Sequence, residues 1–134
     1  MEENQKIPMR SQVKKEDTWA IEDMYATVED WEKDFAAAKK VAEEAAEYAG
    51  RLGESAQALY DWSALTEKLD CMLSEIYGYA PRVKDQDTAD AAGQTLSARA
   101  MGLYVECSGL ISFADPEILS IPEEKLEAFY AEKP

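Results

Sequence analysis

Apolar residues recur every three or four positions along most of this chain, and that period calls for helices. From Val28 the stripe runs Trp31, Phe35, Ala38, Ala42, Ala45 and Ala49, one side of a helix reaching about Ala49 and stopped near Gly50 and Gly53. Its alanines admit close approach of a neighbouring helix. Ser55 is placed to cap the next helix, in which Leu59, Trp62, Leu69, Leu73 and Ile76 form one stripe while Leu65, Met72 and Tyr79 widen it. Such width implies burial on more than one side, as in the middle helix of a bundle. Pro81 lacks an N–H, so this helix is expected to stop or kink between Gly78 and Pro81.

Asp85, Asp87 and Thr88 make a polar break, and a third helix follows with Leu96, Ala100, Leu103, Cys107 and Leu110 on one face. The run Phe113-Ala114-Asp115-Pro116 ends it. Pro116 and Pro122 suit the first turns of two short helices, the second carrying Leu126, Phe129 and Tyr130. Upstream, Asp17 or Thr18 is expected to cap a short corner helix, and Thr27 with Asp30 approximates a capping box for the long helix from Val28. Residues 1–16 are polar and read as a leader or an arm laid across the protein, with a helical domain over 17–134. No strand or glycine-rich hairpin signal competes. The expected fold is all-α: an antiparallel helical bundle of about three long helices plus short flanking helices.

Charge and composition narrow what such a bundle does. Lys and Arg total 14 against 28 Asp and Glu, a formal charge of −14. A surface so acidic repels phosphate backbones and anionic headgroups, which argues against nucleic-acid and membrane partners. Neither a basic leader with an apolar core nor a bilayer-length apolar run is present, and the simplest location is cytoplasmic. Cys71 and Cys107 belong to no C-x-x-C pair and fall on apolar helical stripes, where reduced core cysteines are expected; their pairing in a disulfide is left open.

Several acidic groups invite a metal reading and fail it. Asp85, Asp87 and Asp90 resemble the start of a calcium loop, but the sixth and twelfth positions hold Asp90 and Leu96 where glycine and glutamate are required. A cap-and-loop role suits them better. Glu43, Glu44 and Glu47 lack the histidine with which bundle carboxylates form metal sites, and read as a solvated face pairing weakly with Lys39 and Lys40. With no histidine in 134 residues, serines and cysteines have no imidazole base. No catalytic, cofactor-binding or metal-ligating residue is therefore named. Trp31 and Trp62 sit on core stripes, whereas Trp19 and Tyr25 lie at a corner that suits docking onto further sequence.

The phrase Asp17-Thr18-Trp19-Ala20-Ile21-Glu22-Asp23-Met24-Tyr25, continued by Asp30-Trp31-Glu32-Lys33-Asp34-Phe35, resembles the start of the oligoendopeptidase F family, zinc metallopeptidases related to the thimet oligopeptidases. Arg51-Leu52-Gly53-Glu54-Ser55-Ala56, Asp85-Gln86-Asp87-Thr88 and the run from Asp115 to Leu126 follow in the family's order, so the resemblance covers about Met9 to Pro134. It implies the amino-terminal region of an enzyme whose H-E-x-x-H helix binds zinc and hydrolyses short peptides. The absence of histidine puts that chemistry, and the zinc, in a downstream catalytic domain. The resemblance implies that this region shapes and gates the peptide channel. The alternative is a stand-alone acidic helical module, without enzymatic activity, that binds a protein through the apolar face of Leu126, Phe129 and Tyr130.

Overall fold

A computed structural model of the chain describes residues 6–134. Five α-helices follow three single 3-10 turns at Arg10–Gln12, Lys15–Asp17 and Ile21–Asp23: α1 (Val28–Ala46), α2 (Ala56–Gln86), α3 (Ala91–Ile111), α4 (Ala114–Leu119) and α5 (Glu123–Glu132). No strand occurs among the described residues. The three long helices each pack against the other two, with α5 and the Ile21–Asp23 turn laid on α2. Trp31 near the start of α1 meets Ile76 late in α2, so these run antiparallel, whereas Glu32 and Lys39 of α1 meet Arg99 and Glu106 of α3 in the same order. The topology is up, down, up.

The apolar stripes form the core as their spacing requires. Trp31, Ala38, Ala42 and Ala45 from α1, Leu69, Leu73, Ile76 and Tyr79 from α2, and Leu96, Ala100, Leu103 and Cys107 from α3 are all buried. Trp31 is wholly enclosed, and its indole N–H donates to the Ile76 carbonyl at 3.1 Å. This bond satisfies the one polar group the indole carries inside. At the edge of the α1–α3 seam, the Arg99 guanidinium lies 5.3 Å from the Trp31 ring and 4.8 Å from the Phe35 ring while it grips the Glu32 carboxylate with two hydrogen bonds. Stacking and pairing together close the core at that edge.

Local chemistry sets the helix ends. Thr27 caps α1 by accepting from the Asp30 amide at 3.2 Å; its hydroxyl also donates to the Asp30 carboxylate at 3.1 Å, in place of the reciprocal backbone bond of a full capping box. Ser55 caps α2 by accepting from the Ala58 amide at 3.1 Å. The helix expected to reach Ala49 ends instead at Ala46, because residues 47–54 wind into turns that pass through Gly50 with φ of +79°. That left-handed conformation suits glycine. The capped helix expected at Asp17 or Thr18 is replaced by the 3-10 turn Ile21–Asp23, whose preceding residue, Ala20, has no side-chain bond to offer.

Two further expectations are corrected. Of the stop or kink expected near Pro81, the stop does not occur: helix α2 runs on to Gln86. Proline inside a helix costs about 3 kcal/mol, and burial of Ile76, Tyr79 and Ala80 on the adjoining turns offsets that loss. Cys71 is exposed, unlike Cys107, and both are free. It lies two residues from both Leu69 and Leu73, roughly 200° around the helix from that buried line.

Residues 87–90 turn the chain sharply from α2 into α3, which brings Gly93 against the end of α2. A Cβ there would stand 3.0 Å from the Lys84 Cα and 3.2 Å from the Val83 carbonyl oxygen, both rigid backbone atoms. A Cβ on Gly102, by contrast, meets nothing within 4 Å. Gly93→Ala is expected to destabilise the chain, while Gly102→Ala stabilises it by about 1 kcal/mol through helix propensity alone. Urea unfolding followed by circular dichroism checks both; equal shifts in the same direction would contradict this packing.

Candidate functional site

The acidic residues that suggested metal sites serve local structure or face solvent. Asp87 accepts from the Ala89 amide at 3.1 Å and Asp90 accepts from the Ala92 amide at 3.0 Å, so they shape the turn and cap α3. Glu43 and Glu44 of α1, and Glu47 just beyond its end, are exposed. Lys39, expected to pair along its own helix, reaches across to Glu106 of α3 at 2.9 Å. That hydrogen bond, followed by the charge of Glu106, raises the Lys39 pKa.

The corner aromatics part company. Trp19 is 68% exposed and lines an open depression of about 240 Å³ with Arg10, Asp17, Asp85 and Gln86. Arg10 donates to the Gln86 side chain at 2.9 Å, tethering this stretch to the end of α2. Of the arm expected over 1–16, residues 1–5 lie outside the described residues. Tyr25 turns inward and is buried, its ring edge-on to Tyr79 at 5.2 Å and its hydroxyl donating to Asp34 at 2.8 Å. Trp62 is half-buried, edge-on to Phe113 at 6.4 Å.

The apolar face at the end of α5 folds back. Leu126 and Phe129 are half-buried, and Phe129 and Tyr130 form a groove of about 220 Å³ with Leu59, Tyr60 and Ile118. Lys133 covers part of it, its ammonium 5.4 Å from the Tyr60 ring. Nearby, Glu117 of α4 accepts from the Gly50 and Leu52 amides, each at 2.8 Å, and so pins the α1–α2 turn to the end of the bundle. Sequence reading passed over Glu117. Its only signal was a glutamate one residue past Pro116 in the first turn of a short helix, which gives no hint of a partner more than sixty residues away.

These groups support the fold and present surfaces. A second exposed area lies where α2 and α3 meet: Tyr77 and Tyr104, rings 6.2 Å apart, and Met101 line an open hollow of about 310 Å³. Among the described residues no three His, Cys, Asp or Glu side chains gather as a metal site, and no helix is long and apolar enough to cross a membrane.

Burial, and then the hydrogen bond and charge of Asp34, push the Tyr25 pKa far above its ordinary 10.0. Burial also raises Tyr79, and burial together with Glu106 raises Cys107. A raised folded-state pKa gives stability that is complete below the unfolded value and is lost as pH climbs past it. Conformational stability is therefore expected to fall above pH 9, where Cys107 begins to contribute, and more steeply above pH 10, and Tyr25→Phe to reduce that fall by about 1 kcal/mol at pH 11. Urea unfolding at pH 8 to 11 checks this; an identical pH profile for the variant would contradict it.

No protein-family model matches the chain, and no solved structure does. Among curated proteins it is 39% identical over 127 residues, 95% of its length, to oligopeptidase PepF of Bacillus subtilis (strain 168). It is 31% identical over 125 residues to group B oligopeptidase PepB of Streptococcus agalactiae, and 28% identical over 116 residues to the plasmid oligoendopeptidase F of Lactococcus lactis subsp. cremoris. The chain spans only 19 to 21% of the length of these relatives. Similarity that runs through nearly the whole chain and recurs across these relatives carries the conclusion that the chain belongs to the oligoendopeptidase F family.

Proposed function

We propose that this chain is the amino-terminal helical part of an oligoendopeptidase F-like zinc metalloendopeptidase that hydrolyses short peptides. The observation that carries the reading is the match of 95% of the chain to a stretch making up 19% of oligopeptidase PepF. The bundle's role is to shape and gate the channel that admits the peptide, while the remaining four-fifths of the enzyme supplies the catalytic domain. On this reading 17–134 is the helical domain and 1–16 a polar leader or arm, of which Arg10 is tied to Gln86 of α2. A cytoplasmic location belongs to the same proposal.

Zinc does not fit the residues of this chain. It has no histidine, and among the described residues carboxylates such as Asp87, Asp90 and Glu106 are spent on a turn, a cap and an ion pair. Metal ligands and the general base belong, on this reading, to sequence outside it, and the chain's own contribution is confinement of the substrate. The stand-alone interaction module is the competing reading, with the groove of Leu59, Tyr60, Phe129 and Tyr130 as its binding face.

The decisive experiment replaces the matching stretch of Bacillus subtilis PepF with this chain and measures turnover of a quenched short peptide. The chimaera is expected to cleave the peptide and lose activity with a chelator, whereas the chain by itself cleaves nothing. Chelator-sensitive turnover by the pure chain would overturn the placement of the metal. A folded chimaera without turnover would favour the interaction module.

A further inference from the structure

The outer face of α3 is unlike the rest of this surface. In a chain whose residues are 31% charged, the 21 residues of α3 carry only Arg99 and Glu106, and both are engaged with α1, through Glu32 and Lys39. What remains facing outward is uncharged and in part strongly apolar: Val105 is 62% exposed, Tyr104 50% and Met101 47%. Ala98, Gly102, Val105 and Gly109 recur at spacings of four and three along one line of the helix. A Cβ on Gly102 or Gly109 would meet nothing within 4 Å, so no packing among the described residues calls for glycine at either position. Each glycine nevertheless costs the helix about 1 kcal/mol relative to alanine. Small residues in line, flanked by the hollow between Tyr77, Met101 and Tyr104, leave room for another backbone to approach closely.

We infer that this face of α3, together with Tyr77 of α2, seats an apolar, uncharged segment from the part of the oligoendopeptidase F chain that lies outside the matched stretch. The inference rests on the reading given under Proposed function. About four-fifths of each relative's length lies outside that stretch, which supplies an occupant in the same molecule. A second copy of this chain is the poorer candidate, since each copy carries a charge of −14 and pairing would bring like fields together. The groove at α5 is a weaker docking face, because Lys133 already lies over Tyr60 within it.

The test is thiol accessibility in the Bacillus subtilis PepF chimaera and in the chain alone, both carrying Cys71→Ser to remove the exposed native thiol. Val105→Cys reports on the α3 face and Ala36→Cys, at an exposed position of α1, serves as the control. Maleimide labelling of each site is followed by mass spectrometry of the matching peptide. The expected result is labelling at 105 slowed roughly tenfold or more in the chimaera relative to the chain alone, with the rate at 36 unchanged. Equal rates at 105 in the two proteins would overturn the docking while leaving peptide turnover by the chimaera, and hence the family reading, intact. Slow, concentration-dependent labelling at 105 in the chain alone would identify a second copy as the occupant and overturn the inference. A chimaera that fails to fold with the unsubstituted chain would contradict the reading beneath it, and the docking with it.

Discussion

Trp31 is the contact on which the rest of the bundle depends. Its side chain is fully enclosed, and its indole N–H is satisfied by the Ile76 carbonyl of the antiparallel α2. Phe35 leans on the same ring from one turn later in α1, at 5.1 Å, and Arg99 of α3 covers both rings while bonding Glu32. One residue thereby joins all three long helices. The bulk of Trp31 fills the core at this end of α1, and the small side chains of Ala38, Ala42 and Ala45 continue the same buried side.

Much of this was legible in the sequence because apolar period and capping chemistry are local signals. The stripes from Trp31 to Ala45, from Leu69 to Tyr79 and from Leu96 to Cys107 became the core, and Thr27 and Ser55 cap where their spacing to the next helix indicated. What was not legible depends on contacts distant in sequence. Pro81 carries a local stop signal, yet burial of the turns around it keeps the helix whole. Cys71 looked like part of an apolar stripe, but two residues from both Leu69 and Leu73 it stands on the opposite side of α2 and is exposed. Glu117 gave no warning of its bonds to Gly50 and Leu52, because nothing local foretells that α4 folds back on the α1–α2 turn.

For function, composition excluded more than geometry could add. Without histidine, neither an imidazole zinc site nor a histidine-activated nucleophile can be built, and the buried Tyr25 hydroxyl is engaged within the fold by Asp34. Membership of the oligoendopeptidase F family, over about a fifth of its relatives' length, then gives the bundle a context. Three physical traits of the chain bear on the proposed role: a core tied through Trp31, a solvated charged side on α1, and an outer side of α3 whose two charges are engaged with α1.

The most direct measurement is the structure, by crystallography or electron cryomicroscopy, of full-length Bacillus subtilis PepF with this chain in place of its matching stretch. The expected result retains the three-helix bundle with Trp31 against Ile76, places it beside the peptide channel, and finds every metal ligand outside the chain. A bundle lying remote from the channel, or a metal held by residues of this chain, would contradict a role in confining the substrate.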